Sequence, residues 1–144
     1  MATLTPTLTL SSIDAFVNQP ISLSVTDSLT ISAPMSDIST MNTDDNIGNG
    51  TGVIIGEDAN QYYVYVKHTG KKSDRSPCHV SNDFIIFTDV DGTAGLTPKL
   101  QPGEFMFFPL REGDGESGSG GDGGLKVVAA SSVIRIEYGY WKRA

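Results

Sequence analysis

Apolar and polar residues alternate along much of this 144-residue chain, and strict alternation is typical of half-buried β-strands. The clearest case is the run 134–140, where isoleucine or tyrosine occupies one face and arginine, glutamate or glycine the other. The run 61–67 predicts a second such strand, with Tyr62, Val64 and Val66 on one face. These patterns predict strands that bury one face and leave the other accessible.

The N-terminal region repeats the alternation with leucine and threonine. Residues 3–10 place threonines on one side and leucines or Pro6 on the other. Because proline cannot donate a ladder hydrogen bond, residues 1–20 are predicted to form an edge strand or an extended arm. Residues 21–32 form either one long strand or two short strands that turn at Asp27 and Ser28.

About eight or nine short runs, with turn residues between them and no ten-residue helical period, predict an all-β fold. We expect an antiparallel β-sandwich or jelly roll over residues 21–144, as a single domain with an extended N-terminal arm. Residues 33–51 are predicted to be a loop or a weakly ordered connector. The candidate core residues of the C-terminal part are Phe105, Phe107, Ile134, Ile136, Tyr138 and Tyr140.

Length and cysteine content limit the possible classes. A chain of this size can bury a core without disulfides, and one cysteine, Cys78, cannot form an internal disulfide. The sequence contains no apolar run long enough to span a membrane and does not open with a secretory signal pattern. We therefore expect a protein that is made in the cytoplasm and has no membrane partner.

Charge is unevenly distributed along the chain. Residues 1–66 contain seven acidic residues and no Lys or Arg, whereas residues 67–144 contain ten of each sign, so the net charge is −7. This balance argues against a nucleic-acid partner, because affinity for phosphate backbones comes mainly from cations. A local basic cluster of Lys67, Lys71, Lys72 and Arg75 could contact an anion or an acidic neighbour, although a solvated loop is the simpler interpretation.

One string resembles a catalytic motif. Residues 85–93, IIFTDVDGT, are similar to the first motif of haloacid-dehalogenase-type phosphatases, in which Asp89 would be the nucleophile and Asp91 an acid or base beside Mg²⁺. In that family the motif opens a parallel Rossmann-like domain, whereas here some fifty residues follow without helical crossovers. Since Asp-Gly also favours hairpin turns, we interpret the string as a turn and keep the phosphatase as an alternative.

Other candidate chemistry has simpler structural explanations. Cys78 and His79 are adjacent on an extended chain and so point to opposite sides, which places them poorly as nucleophile and base. The glycine-rich run 113–124 could offer acidic ligands to Ca²⁺, but it lacks a regular repeat and is predicted to be a hairpin loop. Aromatic residues could stack on sugars, although core packing and subunit contacts account for them more simply. We expect no cofactor, no metal and no enzymatic activity.

Several strings together resemble a known class of protein. TLTPTLTLSS, ISLSVTDSLTIS, QYYVYVKHTG, LQPGEFMFFPL and GLKVVAASSVIRIEYGYWKR resemble small virion structural proteins of tailed bacteriophages, particularly marine and cyanobacterial phages. The resemblance covers both ends and the middle strand. It implies a non-enzymatic β protein of the virion.

Within that class we favour a capsid decoration or cement protein, which binds the outer capsid surface and stabilises the particle. The implied partners are the major capsid protein or neighbouring virion proteins, with copies in a homo-oligomer or symmetric array. An N-terminal arm can add a strand to a neighbour's sheet edge, and many copies strengthen a modest contact through avidity. The candidate contact residues are Leu4, Leu8 and Leu10 of the arm and Lys67, Lys71, Lys72 and Arg75 of the basic cluster.

Two further interpretations stay open. The chain could be a neck, tail or fibre-base component, which copy number per particle would distinguish from decoration. It could instead be a glycan-binding module that uses an aromatic patch.

Overall fold

The structure is a computed structural model that describes residues 1–16, 19–33, 37–43, 52–56, 60–88, 96–110, 124–129 and 132–144. Within these ranges the regular structure is entirely β, every strand pairing is antiparallel, and there is no helix, which confirms the all-β prediction. The strands are β1 (Ala2–Leu4), β2 (Thr7–Phe16), β3 (Gln19–Thr26), β4 (Leu29–Ala33), β5 (Ser39–Asn42), β6 (Val53–Ile55), β7 (Tyr62–Lys72), β8 (Ile85–Thr88), β9 (Leu96–Leu100), β10 (Phe105–Leu110), β11 (Leu125–Ala129) and β12 (Ile134–Arg143).

The described strands form three sheets. The largest has the order β1-β4-β12-β7-β10, with β5 also paired to β12, and the second has the order β6-β11-β8-β9. The third sheet consists of β2 and β3, which pair with each other. Long strands β7 and β12 lie side by side in the largest sheet and provide its central framework.

The two larger sheets contribute to one hydrophobic core. Phe87 of β8 and Phe108 of β10 meet edge to face across the sheets, with ring centroids 5.7 Å apart. Strand β11, between β6 and β8, is buried along all five residues. The buried members of the core cluster are Ile54, Ile55, Tyr62, Val64, Val66, Ile85, Phe87, Leu100, Leu125, Val127, Ala129, Ile134 and Ile136.

Strands β7 and β12 follow their predicted alternation. Val64 and Val66 of β7 are completely buried, and so are Ile134 and Ile136 of the neighbouring strand β12. Tyr138 and Tyr140 are partly buried and pack against the core. The inward faces of β7 and β12 were therefore predictable from their period-2 pattern alone.

The described strands number twelve, against eight or nine predicted runs. The run 3–10 divides around Pro6, and the run 21–32 divides around Asp27 and Ser28, as one of the two open alternatives predicted. The prediction of a continuous loop over 33–51 is wrong at Ser39–Asn42, which pairs with β12. Four residues with little apolar character form a strand there because an edge of β12 offers backbone partners.

The prediction that Phe105 and Phe107 belong to the core is wrong. Their side chains are 59% and 37% exposed, whereas Met106, Phe108 and Leu110 face the core. The run 105–110 is apolar on both faces, so its sequence pattern does not specify which face turns inward. Packing against the second sheet selects the even-numbered side chains.

A substitution at Ile136 tests the assignment of the core. Ile136→Asn should lower the free energy of unfolding by about 3 kcal/mol or more, because it buries an amide in place of an aliphatic side chain. The matched control is Ile13→Asn, at a position that is 92% exposed, which should change stability by less than about 0.5 kcal/mol. Urea denaturation of both variants measures the difference, and equal stabilities would contradict the assignment.

Candidate functional site

The β2–β3 hairpin carries an apolar face that no described part of the chain covers. Leu8 lies opposite Val25 and Leu10 opposite Leu23, so these four side chains share one face, and Ile21 extends it opposite Ser12. Leu8 and Leu10 are 46% and 47% exposed, and the three partners on β3 are exposed as well. We call these five side chains, Leu8, Leu10, Ile21, Leu23 and Val25, the hairpin face.

The opposite face of the same hairpin is polar. Threonine and serine residues pair across it, including Thr7 with Thr26, whose hydroxyl oxygens are 3.1 Å apart. Every described side chain from 7 to 11 and from 21 to 28 is exposed, whichever face it occupies. The hairpin therefore stands clear of the two larger sheets on both sides.

The hairpin continues the register of the strands at its base. The numbers of paired residues add up to 33 in β1 with β4, where Leu4 pairs with Leu29. They add up to 33 again over residues 7–12 of β2, where Leu10 pairs with Leu23. The backbone N–H of Asp27 donates to the carbonyl of Pro6 at 3.1 Å between the two pairs of strands. Residues 2–12 and 21–31 thus form one long ribbon, whose base joins β12 through β4.

The predicted contact residues of the N-terminus separate into two environments. Leu4 lies in β1 at an edge of the six-stranded sheet and is partly buried opposite Leu29. Leu8 and Leu10 lie on the hairpin face. The ribbon includes residues on both sides of the predicted boundary at residue 20, and the role of the N-terminus as an arm against a partner stays a prediction.

A second exposed apolar surface lies on the outer face of β10, β7 and β12. Tyr63 and Phe107 stack with centroids 6.1 Å apart and an interplanar angle of 11°, and Trp141 lies 6.5 Å from Phe107. Phe105 lies 6.4 Å from Tyr65. We call these five side chains, Tyr63, Tyr65, Phe105, Phe107 and Trp141, the aromatic platform.

Neighbouring residues hold the platform in place. A Cβ at Gly139 would lie 3.0 Å from Trp141 Cη2, so the indole occupies space that a larger residue would fill. The Tyr65 hydroxyl donates to Glu137 Oε1 at 2.8 Å, and burial together with this bond raises the pKa of Tyr65 to about 12. The Arg143 guanidinium lies 5.1 Å from the Tyr63 ring centroid, within the range of a cation–π contact.

The sequence shows the aromatic residues, but its pattern predicts Phe105 and Phe107 in the core. It therefore does not predict the platform. The available signal was that β7 carries tyrosines on both faces and β10 carries phenylalanines on both faces. Two adjacent strands with aromatic residues on both faces indicate an outer aromatic surface, whichever face is buried.

The basic cluster does not form one loop. Lys67, Lys71 and Lys72 lie in β7, and Arg75 follows in a turn with φ of 70°. The interpretation of the cluster as a solvated loop is wrong for Lys71 and Lys72, because β7 continues there beside β12. Lys72 Nζ lies 3.2 Å from Asp83 Oδ2, so one of the predicted contact cations pairs with a carboxylate of the same chain.

A buried polar cluster surrounds His68. Its Nδ1 accepts the Gly70 N–H at 3.0 Å, so Nε2 carries the proton and donates to the Asp83 carbonyl at 2.9 Å. The Asp83 carboxylate accepts from the His79 N–H and from the Ser132 hydroxyl, each at 2.8 Å. These bonds fasten the segment between β7 and β8 to the residues that precede β12, which is a structural role.

The chemistry of this cluster does not assemble a nucleophile and a base. Burial is the largest cause that lowers the pKa of His68 from 6.5, against opposing contributions from Asp83 and Glu104. Burial also raises the pKa of the Cys78 thiol, which disfavours the reactive thiolate. Both ring nitrogens of His68 are already engaged in hydrogen bonds with the backbone.

Other proposed sites receive no structural support. Within the described ranges, no three His, Cys, Asp or Glu side chains come together in a way that could hold a metal ion. The same ranges contain no helix long and apolar enough to cross a membrane. Asp89, Asp91 and the glycine-rich run from 113 to 123 lie outside the described residues.

Comparisons with protein-family models, with curated proteins and with solved structures found no match for the chain. The function is therefore inferred from the hairpin face and the aromatic platform.

The neutral state of His68 makes stability depend on pH. Because the folded pKa lies below 6.5, the unfolded chain binds this proton more readily. The stability that the neutral His68 contributes is fully present above about pH 6.5. It is lost as the pH falls through 6.5 towards the lower folded pKa. Each tenfold difference in proton affinity between the folded and unfolded chains corresponds to about 1.4 kcal/mol of stability. Urea denaturation between about pH 7.5 and pH 5 measures this loss.

Two variants assign the effect to one side chain. His79→Asn changes an exposed ring and should leave the pH dependence intact, whereas His68→Asn should flatten it over this range. A wild-type stability that stays constant or rises as the pH falls over the same range would contradict the buried neutral histidine.

Proposed function

We propose that this chain is a non-enzymatic virion structural protein of a tailed bacteriophage, a capsid decoration or cement protein that binds the outer capsid surface. The observation that carries the proposal is the hairpin face, an aliphatic surface left uncovered on a two-stranded ribbon. Isolated two-stranded ribbons are marginal in water, and contiguous apolar patches mark interaction sites. A neighbouring protein of the particle covers this face and stabilises the ribbon.

The proposed architecture is a β-sandwich of the two larger sheets with the N-terminal ribbon as its arm. A core shared by β7 and β12 of one sheet with β8 and β11 of the other supports this arrangement. The arm is then two-stranded rather than a single extended segment. Its two strands already pair with each other before assembly, so binding need not order the chain first.

The proposed contact of the hairpin face with the shell becomes strong because many copies bind to one particle. A face of five aliphatic residues supports a modest affinity for one copy, but copies arranged symmetrically on a shell bind together and gain avidity. The major capsid protein and neighbouring copies are the proposed partners, and the protein reaches the virion after synthesis in the host cytoplasm. A neck, tail or fibre-base position would use the same face at far fewer copies per particle.

The phosphatase alternative is disfavoured by its structural context. The motif of that family follows a strand in a parallel sheet, with helices that return the chain. Strand β8, which precedes Asp89, lies between β11 and β9 and pairs antiparallel with both. An antiparallel sheet of this kind lacks the crevice at the carboxyl ends of parallel strands, where doubly wound folds bind their ligands.

Charge on the hairpin face tests the proposal. Leu10→Asp should weaken binding to capsid shells assembled without this protein by at least about tenfold, because it buries a carboxylate in the contact. The matched control is Thr9→Asp, at the adjacent exposed position on the polar face. Co-sedimentation of each protein with shells measures binding.

A second variant removes the whole hairpin. An Asn-Gly turn in place of residues 7–26 keeps the β1–β4 pairing, since Pro6 and Asp27 already lie opposite each other. This protein should stay folded and lose shell binding. Binding by Leu10→Asp at the wild-type level, or equal loss in both point variants, would contradict the proposed contact.

A further inference from the structure

The aromatic platform and the hairpin face are complementary surfaces of one chain that do not meet within it. The hairpin extends from β1 and β4, at one edge of the six-stranded sheet, whereas the platform lies on β12, β7 and β10 towards the other edge. All five side chains of the hairpin face are exposed, and on the platform Phe105 and Phe107 are exposed while the other three rings are half-buried. Each surface therefore lacks a partner from its own chain among the described residues.

The two surfaces match in size. Two cross-strand pairs and Ile21 occupy a stretch of five residues on a two-stranded ribbon, roughly 14 Å long and 5 Å between backbones. The platform crosses three strands, about 10 Å between the outer backbones, and it extends along β7 from the register of Phe105 to Tyr63, which is roughly 14 Å. A narrow ribbon can thus lie on the flat platform with its side chains against the rings.

The two surfaces also match in chemistry. Leucine, isoleucine and valine side chains pack well against aromatic faces, and a platform whose rings already contact one another loses little side-chain freedom on binding. The ring pairs and Trp141 over Gly139 hold the surface in its contact geometry. One polar group of the platform, the hydroxyl of Tyr65, is already bonded to Glu137, which leaves it less available to a saccharide.

The distribution of charge favours the aromatic platform, rather than a second hairpin, as the surface that covers the hairpin face. Residues 1–66 carry no cation, and the hairpin region brings Asp14 and Asp27, so two hairpins in contact would place like charges together. Two cations border the platform, Lys67 opposite Phe105 and Arg143 beside Tyr63, while the carboxylate of Glu137 is bonded to the Tyr65 hydroxyl. A hairpin on the platform places its acidic surroundings next to cations.

We propose that the hairpin face of one copy docks on the aromatic platform of another copy of this chain. This inference names the partner of the hairpin face, and its place on the particle rests on the proposed function. Copies joined in this way form a network across the shell, in which each copy both gives a hairpin and receives one. Such a network resists the loss of single copies because each is held at two contacts.

Complementation between two variants tests the contact. Sedimentation equilibrium over a wide concentration range should detect association of the wild-type protein, and Leu10→Asp and Phe107→Asp should each weaken it at least about tenfold. An equimolar mixture of the two variants should regain association, because it unites an intact hairpin face with an intact platform. Neither variant alone contains both.

Control variants separate these effects from misfolding. Thr9→Asp on the polar hairpin face and Val80→Asp, at an exposed apolar residue outside both surfaces, should associate like the wild type. Phe105→Asp, at the more exposed platform residue, should repeat the effect of Phe107→Asp if that variant proves unstable. Urea denaturation of each variant confirms that it is folded.

Several outcomes would overturn the inference. Absence of wild-type association, association that Phe107→Asp leaves unchanged, or a mixture that fails to regain it would each exclude the hairpin-on-platform contact. Loss of association in Leu10→Asp alone would indicate that two hairpins pair with each other. Binding to a glycan array that Phe107→Asp abolishes, with association unchanged, would assign the platform to a saccharide.

The outcomes also distinguish this inference from the proposed function. Shell binding that depends on Leu10 but not on Phe107 would leave the decoration role in place and remove the copy-to-copy contact. Association that follows the predicted pattern in a protein that does not bind shells would remove the decoration role and leave the contact.

Discussion

The pairing of β7 with β12 is the interaction that organises the other strands. These strands are paired over nearly their full lengths and send alternate side chains to opposite sides of the sheet. Their inward residues, Val64, Val66, Ile134 and Ile136, are completely buried against the second sheet. In the large sheet, β10 attaches to β7, both β4 and β5 attach to β12, and β1 attaches to β4.

The same pairing determines what lies outside. Because side chains alternate, the residues between the buried valines and isoleucines must point outward, and on these strands they include Tyr63, Tyr65 and Trp141. Strand β10 adds Phe105 and Phe107 to that surface. A sheet with a buried aliphatic face and an exposed aromatic face separates the interactions that hold the fold from those available to a partner.

The N-terminal ribbon depends much less on the core. It joins the large sheet through the short pairing of β4 with the end of β12, at Lys142 and Arg143, and its outer half pairs only with itself among the described strands. Substitutions on the hairpin face should therefore alter contacts with partners more than they alter folding. This division makes the proposed contact surface experimentally separable from the domain that carries it.

The sequence predicts this structure well where alternation is strict and poorly where it is not. The inward faces of β7 and β12 follow from their period, whereas β10 is apolar on both faces, and only packing against Phe87 decides that Phe108 turns inward. The pairing of residues 7–12 with 21–26 was not predicted, although their mirrored leucine and serine patterns were visible, because either strand could also have paired elsewhere. The exposure of the hairpin face depends on what does not pack against it, which no local pattern encodes.

Burial of the hairpin face against a neighbouring protein is the feature that the proposed assembly requires above all. A cryo-electron microscopy map of capsid shells with this protein bound would show which surface of each copy is covered. We expect density in which Leu8, Leu10 and Leu23 lie within van der Waals contact of a neighbouring protein. A map in which the hairpin projects into solvent while another surface holds the protein to the shell would contradict the proposal.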